Sequence, residues 1–322
     1  MTTGRGLPEV EPAPLTQVPE DDSTAAMTLE QLRIFVAVAE REHVTRAAET
    51  LNVTQSAASS AIAALETQHD VKLFHRVGRR IELTDAGRMF RDEARAILAR
   101  VSSAELALNE FGGLKRGMLR IVASQTIAGY WLPERLAAFH RRYSEIDLAV
   151  SIANTEGAAR AVRDGEAELG FIEGQLDDPA LAQWEIGTDR MILVGSGDVD
   201  AVTNDWIAAA PWVMRETGSG TRSTFEQAVR DRGMDPAILN IVLTLPSNEA
   251  VLAAVRADVG YAVLSQLVVM PSISSRTLQP LRFELPARPF FGLRQKERYQ
   301  SKAAEALLEV IANYGAQPDW VI

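Results

Sequence analysis

Residues 44–65, VTRAAETLNVTQSAASSAIAAL, decide the fold of the amino-terminal part of this chain. Read at the helical period, they predict two short helices, the first over residues 45–51 and the second after Thr54, with Asn52 in the turn between them. In the second helix, apolar residues recur at the i, i+3, i+4 and i+7 positions of one face: Ala58, Ala61, Ile62 and Leu65. Because most of the inner residues are small, the sequence predicts two helices that cross at close range.

The opposite face of the second helix is polar, uncharged and built from short side chains. It carries Gln55, Ser56, Ser59, Ser60 and Thr67. A surface of this kind fits the major groove of DNA, where amide and hydroxyl groups hydrogen bond to base edges. The alternative is an ordinary helical hairpin with a solvated Ser/Ala surface, because such spacings also occur by chance.

The flanking segments extend this helix pair to a winged helix-turn-helix. Residues 28–42, TLEQLRIFVAVAERE, predict a helix that Thr28 caps. Residues 71–84, VKLFHRVGRRIELT, predict two short strands joined by a turn at Gly78. Lys72, Arg76, Arg79 and Arg80 lie in this segment with no acidic residue between them. Adjacency to the helix pair favours contact with phosphates, and the alternative is a solvated basic surface.

A long helix follows, predicted over residues 85–111 with Thr84 as its cap. Its apolar residues alternate at spacings of four and three: Phe90, Ala94, Ile97, Val101, Ala104, Leu108 and Phe111. This is the pattern of a coiled-coil seam, so we expect the helix to pair with a second copy of itself. The alternative is that the helix packs on its own domain. Two-fold pairing would present two reading helices to an interrupted palindrome.

Beyond the hinge glycines Gly112, Gly113 and Gly117, apolar strand patterns alternate with helical patterns. Strands are predicted at residues 119–123, 148–153, 169–172, 191–195, 211–214, 241–243, 261–265 and 278–283, and a closing helix at residues 301–314. This βαβ rhythm predicts mainly parallel sheets in two α/β lobes, the second over about residues 191–266. The fold class expected for the whole chain is therefore α+β and α/β.

Ligands of open α/β sheets bind at the carboxyl ends of strands, where helices begin with free N–H groups. Four such junctions here carry hydroxyl, amide or guanidinium side chains: Ser124, Gln125 and Thr126; Asn154 and Thr155; Ser219, Thr221 and Arg222; Ser247 and Asn248. They predict a cradle for a small anion, with Arg222 suited to an oxyanion. In the alternative reading, these residues are helix caps and turn residues, and Arg222 pairs with a surface acid. Glu173, at another strand end, faces either the cleft or solvent.

Composition excludes several classes of function. The 322 residues include no cysteine and carry a net charge of −10, which excludes a thiolate metal site and a generic nucleic-acid sponge. No apolar run reaches the ~20 residues of a membrane span. The four histidines show no metal-ligand spacing, and no nucleotide-binding or hydrolase motif occurs. We expect a cytoplasmic protein that is not an enzyme, does not contact a membrane and needs no cofactor or metal.

Residues 28–111 resemble the DNA-binding and linker region of LysR-type transcriptional regulators. The matching stretches are LEQLRIFVAVAE, TRAAETLNVTQSAASSAIAALE and LFHRVGRRIELTDAGRMF. The resemblance implies that the rest is a two-lobed, periplasmic-binding-protein-like effector domain. The runs SQT (residues 124–126) and ETGSGTR (residues 216–222) resemble the branch that includes sulfur-assimilation and carbon-fixation regulators. This implies a small anionic effector, such as sulfate, sulfite or a phosphorylated or carboxylated metabolite.

The sequence thus predicts a disordered tail at residues 1–26, a DNA-binding domain at 27–84, a linker and dimerisation helix at 85–113 and an effector domain at 114–322. Expected partners are double-stranded DNA, the effector and further copies of the chain in a homodimer or homotetramer, with RNA polymerase as a candidate. The expected DNA-contacting residues are Thr45, Thr54, Gln55, Ser56, Ala57, Ser59, Ser60, Arg76, Arg79 and Arg80. Two rival classes are a small-solute binding protein with a non-DNA helical interaction module, and an enzyme with its active site between the lobes.

Overall fold

The structure, a computed structural model, describes residues 27–77, 80–110, 117–197 and 199–314. The chain forms two compact units, Met1–Arg91 and Asp92–Ile322. The described residues do not include the predicted tail, the hinge residues Gly112 and Gly113, or the wing residues Gly78 and Arg79. Each unit is described by itself below.

Three helices form the centre of the first unit: α1 (Leu29–Arg41), α2 (Val44–Leu51) and α3 (Gln55–His69). The predicted end signals are confirmed. Thr28 forms a capping box with Gln31 at the start of α1. Asn52 ends α2 in the left-handed conformation with a φ of 54°, and the Thr54 hydroxyl accepts a hydrogen bond from the Ala57 amide at 3.1 Å.

Alanines allow α1, α2 and α3 to pack at short range. Ala47, Ala48 and Ala58 are almost fully buried and contact a small apolar cluster that also includes Ile34 and Val38. The predicted stripe of α3 faces this cluster, with Ile62 and Leu65 buried. The polar face of α3 is therefore directed away from the core of its own unit.

The wing follows as an antiparallel pair of strands, β1 (Phe74–Val77) and β2 (Arg80–Leu83). Helix α4 (Asp85–Glu110) begins directly after it, and the Thr84 hydroxyl caps the helix by accepting from the Gly87 amide at 2.9 Å. A Cβ at Gly87 would lie 2.1 Å from the Leu73 carbonyl oxygen, so only glycine allows α4 to start this close to the wing.

The second half of α4 belongs to the second unit and leaves part of the predicted seam exposed. Ala94 is buried, but 42% of Ile97 and 72% of Leu108 are accessible. Val101 is half-buried and Ala104 is exposed. These residues therefore form an apolar stripe that the described part of a single chain does not cover.

The first lobe of the second unit is built on a five-stranded sheet in the order β4–β3–β5–β12–β6. Its strands are β3 (Gly117–Ala123), β4 (Ile146–Ile152), β5 (Leu169–Glu173), β6 (Leu181–Asp189) and β12 (Arg288–Gln295). A π-helical turn, Ile127–Trp131, continues into α5 (Leu132–Arg142), and α11 (Lys302–Tyr314) packs on the same face of the sheet. Helix α6 (Thr155–Asp164) covers the other face.

The second lobe contains a three-stranded sheet, β10–β7–β11, and a parallel pair, β8–β9. The strands are β7 (Met191–Gly195), β8 (Trp212–Arg215), β9 (Ile241–Leu245), β10 (Ala262–Ser265) and β11 (Gln279–Pro280). The helices are α7 (Asn204–Ala209), α8 (Gly220–Asp231), α9 (Asn248–Arg256) and α10 (Gln266–Ser274), with a 3-10 turn at Pro236–Ile238. The buried Trp212 contacts the rings of Trp206 and Phe225 in the core of this lobe.

Strand direction differs in part from the sequence-based expectation. In the first lobe, β3, β4 and β5 are parallel as predicted, but β12 runs antiparallel to both β5 and β6. In the second lobe, β10 and β11 are antiparallel to β7. The predicted strand at residues 278–283 is reduced to the two residues of β11. The second lobe was expected to end at about residue 266. The chain after this residue also packs on β7, because α10 and β11 both contact this strand.

Within the described residues, no helix combines the length and the apolar composition that crossing a membrane requires.

Candidate functional sites

The outer surface of α3 presents the polar residues that the sequence singled out. Gln55, Ser56, Ala57 and Ser60 are exposed, and Ser59 is half-buried. The Gln55 amide donates to the Ser59 hydroxyl at 2.9 Å, and the hydroxyls of Thr54 and Ser56 lie 3.0 Å apart. These short contacts order the side chains at the amino end of α3 and leave further donors and acceptors available to base edges.

Basic groups flank this surface unequally. Arg76 is exposed on β1, whereas Arg79 and the side chain of Arg80 lie outside the described residues. Thr45 is exposed in the first turn of α2. Lys72, which the sequence placed in the basic run, forms an ion pair with Glu66 at 2.7 Å. The local patch is therefore less basic than the sequence alone indicates.

Glu66 joins α3 to the wing. Its carboxylate accepts hydrogen bonds from the Leu73 amide at 2.9 Å and the Phe74 amide at 3.2 Å, as well as from Lys72. Burial acts to raise the pKa of this carboxyl, but the bonds from Lys72 and the two amides outweigh burial, so the pKa of Glu66 is lowered. Glu66 thus stays ionised and fixes the position of the wing beside the end of α3.

The second candidate site is the cleft where the two lobes of the second unit meet. Two of the four predicted junctions use their side chains as helix caps. The Asn154 side chain accepts from the Gly157 amide at 2.9 Å at the start of α6. The Ser247 hydroxyl accepts from the Ala250 amide at 3.0 Å at the start of α9. The first donors of these two helices are therefore partly satisfied within the chain.

The other two junctions keep polar groups without partners. Ser219 precedes α8 but makes no capping hydrogen bond, so the first N–H groups of that helix are uncapped. The Ser124 hydroxyl, at the carboxyl end of β3, is buried and forms no hydrogen bond within the described part of the chain. A buried, unpartnered hydroxyl is rare in folded proteins and usually marks a place where a ligand or water binds.

A chain of hydrogen bonds connects the lobes beside these groups. Arg215, buried at the end of β8, donates to the Asn248 side-chain oxygen at 2.6 Å, and the Asn248 amide donates to the Thr126 hydroxyl at 3.1 Å. The Gln125 side chain accepts from the Asn248 backbone amide at 2.8 Å and donates to the Pro246 carbonyl at 3.1 Å. Gln125, Thr126 and Asn248 therefore couple the two lobes directly.

Arg215 also binds the neighbouring Glu216. Both contacts between the guanidinium and the carboxylate are 2.8 Å long. Burial acts to raise the pKa of Glu216, but the hydrogen bonds and the charge of Arg215 outweigh it and the pKa is lowered. The positive charge of Arg215 is thus largely compensated within the second lobe.

A buried ion pair lies behind the α8 junction. Arg288, the first residue of β12, binds Asp189 at the end of β6, and both side chains are 1% exposed. Arg288 also donates to the Thr221 hydroxyl at 3.2 Å, and the Ser265 hydroxyl donates to Asp189 at 2.9 Å. This group fixes the segments that connect the lobes and orients Thr221 at the start of α8.

The expectation that Arg222 presents its guanidinium to an oxyanion is not supported by the geometry. Its Nε donates to Glu226 at 2.7 Å, one turn along α8, and Nη1 donates to the Arg215 carbonyl at 3.3 Å. Because i, i+4 spacing brings the two side chains together on the helix surface, the local ion pair forms instead. Thr155, by contrast, is buried and contacts Glu173.

Three buried charged residues of this region did not appear in the sequence-based set: Asp189, Arg215 and Arg288. The available signal for Arg215 was a charge that ends an otherwise apolar strand, WVMR. Asp189 and Arg288 are 99 residues apart in sequence, so no local pattern connects them.

A cavity of about 370 Å³ lies elsewhere in the second unit. It is lined by Ala99 and Ser102 of α4 and by Gly117 and Met118 at the amino end of β3. The four junctions above follow the carboxyl ends of β3, β4, β8 and β9, the ends at which strands of α/β sheets bind ligands. Among the described residues, no group of three His, Asp or Glu side chains is arranged to hold a metal ion.

Family models match both units. Residues 29–88 match the "Bacterial regulatory helix-turn-helix protein, lysR family", and residues 112–316 match the "LysR substrate binding domain". The second match alone covers more than half of the chain. The protein belongs to the LysR family. It is accordingly a DNA-binding transcriptional regulator with an effector-binding domain, and not an enzyme.

Relatives that align with most of the chain agree with this assignment. The LysR-family chain is 31% identical to the RuBisCO operon transcriptional regulator of Allochromatium vinosum. The alignment covers 90% of this chain and 97% of the relative. It is 30% identical to the HTH-type transcriptional regulator YeiE of Escherichia coli, over 88% of this chain and 96% of the relative. The predicted resemblance to carbon-fixation regulators is thus confirmed.

Solved structures show the same fold. Full-length CbnR in complex with its target DNA aligns with a TM-score of 0.62 at 20% identity, covering 88% of this LysR-family chain and 99% of CbnR. ArgP from Mycobacterium tuberculosis aligns with a TM-score of 0.61 at 23% identity, over 88% of this chain and 95% of ArgP. At this level of identity, the likeness concerns the fold.

Proposed function

We propose that this regulator reads DNA with α3 and that a small anion in the interlobe cleft modulates operator binding or activation. In this proposal, Gln55, Ser56 and Ser60 contact bases, supported by Ala57 and Ser59. Thr45, Thr54 and the wing arginines Arg76, Arg79 and Arg80 contact phosphates. The observation that supports the DNA-reading surface is the exposed, polar and ordered amino end of α3.

Pairing of two chains through α4 is the second part of the proposal. The exposed seam residues Ile97 and Leu108 need a partner, since an apolar stripe on a helix is stable when buried. A second copy of α4 supplies a matching stripe. The resulting homodimer presents two α3 helices to an interrupted palindrome, and a homotetramer would combine two such dimers.

Cysteine cross-linking tests this pairing, because the natural chain has no cysteine. We expect that at least one full-length variant among Ile97→Cys, Val101→Cys, Ala104→Cys and Leu108→Cys forms an intermolecular disulfide within minutes of mild oxidation. Seam positions near the two-fold axis bring Cα atoms within the ~7 Å that a disulfide needs. Ser102→Cys, which is off the seam, is the control. If no seam variant cross-links faster than Ser102→Cys, the pairing through α4 is wrong.

The anion site rests on the contrast between capped and uncapped junctions. The buried Ser124 hydroxyl has no hydrogen-bond partner in the described part of the chain, and Ser219 makes no capping hydrogen bond, so α8 begins without a side-chain cap. A small anion at this place would accept hydrogen bonds from both hydroxyls and from the first N–H groups of α8. Because Thr126 and Asn248 link the lobes beside it, a bound anion stabilises one arrangement of the lobes over another.

Serine-to-alanine variants distinguish serines that contact the ligand from a serine that only caps a helix. Removing one hydrogen bond to a charged ligand costs about 1.5–3 kcal/mol, so we expect Ser124→Ala and Ser219→Ala each to weaken anion binding by roughly 10-fold or more. Ser247→Ala, which removes the cap of α9, should lower stability and leave anion affinity within about 3-fold. Titration calorimetry of the full-length protein with sulfate, sulfite, phosphate and phosphoglycerate measures these affinities. Equal losses in all three variants would contradict the proposed site.

A further inference from the structure

The cleft contains a carboxylate that the anion site does not explain. Glu173 ends β5 and is only 3% exposed. It lies against the start of α8, since a Cβ on Gly220 would be 3.1 Å from the Glu173 Cβ and 2.9 Å from its carbonyl oxygen. Glu173 therefore lies beside the uncapped helix end at which the anion is proposed to bind.

This carboxylate has no counterion in the described part of the chain. Its one side-chain hydrogen bond there comes from the Thr155 hydroxyl, at 3.5 Å from Oε2, and no Lys, Arg or His pairs with it. Nearby arginines are bound to other groups: Arg215 to Glu216 and Asn248, Arg222 to Glu226, and Arg288 to Asp189 and Thr221. A buried carboxylate without a counterion is costly to keep ionised, so a ligand that brings a hydrogen-bond donor to it gains affinity.

From this we infer that Glu173 selects an effector that carries a hydrogen-bond donor beside its anionic group, an inference that rests on the anion site proposed above. An ionised carboxylate accepts hydrogen bonds and cannot donate them. An oxyanion that retains a proton forms a short, charge-assisted O–H···O bond to Glu173. A fully deprotonated oxyanion places two negative charges side by side with no proton between them.

This chemistry separates anions of similar size. Near neutral pH, phosphate and sulfite retain a proton on a large part of their population, whereas sulfate retains none. A zwitterionic α-amino acid supplies the same donor from its ammonium group. Glu173 thus excludes sulfate from the candidate effectors. Protonated oxyanions and amino acids remain candidates, because both carry a hydrogen-bond donor next to a negative charge.

The test compares sulfate with phosphate, sulfite and L-serine in calorimetric titrations of the full-length regulator. Wild type should bind at least one donor-bearing ligand at least about 100-fold more tightly than sulfate, because a like-charge contact replaces a charge-assisted bond. Glu173→Gln keeps the shape and adds an amide donor, so sulfate should gain affinity and the preference should fall below about 10-fold. Glu305→Gln is the matched control, an exposed acid in the first turn of α11, and should leave the preference unchanged.

The ligands show which group donates the hydrogen bond, and the outcomes show whether the role of Glu173 or the anion site itself is wrong. Tight binding of phosphate or sulfite indicates an O–H donor, and tight binding of L-serine indicates an N–H donor. If wild type binds sulfate as tightly as the others, or if Glu173→Gln keeps the preference, Glu173 has no selective role while the anion site stands. If no ligand binds wild type or either variant, the anion site itself is wrong. Thermal melts of Glu173→Gln and Glu173→Asp establish that the variants are folded.

Discussion

Replacing Ser56 with glutamate is expected to abolish specific operator binding by the full-length regulator. Ser56 is exposed in the first turn of α3, at the end proposed to enter the major groove. A carboxylate there faces phosphates and base acceptors, and like charges at an interface cost several kcal/mol, which is a loss of at least about 100-fold. Fluorescence anisotropy with a genomic fragment selected by wild type, at one fixed salt concentration, measures the loss.

Because of the position of Ser56, the substitution is expected to change DNA binding without destabilising the protein. An acidic residue in the first turn of a helix is favourable to the helix, so Ser56→Glu should fold at least as well as wild type. Thr67→Glu is the matched control, since it adds the same charge to an exposed position three turns further along α3. Gln55→Ala should lose only about 1–3 kcal/mol of preference at one base pair. Similar losses in Ser56→Glu and Thr67→Glu would show that α3 does not read DNA with its amino end.

Asp189→Asn is expected to destabilise the effector domain by about 3–5 kcal/mol, because it leaves the buried guanidinium of Arg288 without its counterion. Both partners are 1% exposed, so water cannot replace the lost carboxylate. For a domain of this size, the loss corresponds to a fall in Tm of roughly 6–20 °C. Residues 1–91 contain no tryptophan, so fluorescence-detected unfolding in urea and by heat reports on the second unit.

Two further variants test whether the loss of stability in Asp189→Asn comes from the buried ion pair. Arg230→Gln breaks an ion pair with Glu226 on the surface of α8, where Arg230 is 50% exposed, and should cost less than about 1 kcal/mol. The double variant Asp189→Leu with Arg288→Met removes both charges and should be more stable than Asp189→Asn alone. A change below 1 kcal/mol for Asp189→Asn would mean that the pair does not stabilise the connection between the lobes.

Short-range patterns were sufficient for the first unit. The alanines that let α2 and α3 approach, the left-handed residue Asn52 and the caps Thr28 and Thr54 all act within a few residues of their partners. Local sequence therefore fixed both the helix boundaries and the polar face of α3. The structure changed this picture only where a partner from another element was involved, as in the ion pair of Lys72 with Glu66.

Two long strands of the effector domain could not be predicted in the same way. Strand β6 mixes polar and apolar residues, and β12 contains Pro289 and Gly292, which weaken a strand pattern. Both are stabilised by pairing with each other, more than 90 residues apart in sequence. Their antiparallel direction follows from how the chain returns from the second lobe, and no local pattern encodes that return.

What the sequence by itself determined about this protein is the set of local structures: the helix pair, the wing, the long α4 helix and the strand ends that carry Ser124, Asn154, Ser219 and Ser247. Only the tertiary structure decided the role of each polar group at those ends. Asn154 and Ser247 cap their own helices, Ser124 and Ser219 do not, and Glu173 is buried without a counterion. The reason is physical: a hydrogen bond or ion pair depends on which group is nearby, and in this cleft the decisive neighbours are up to 123 residues away in the chain.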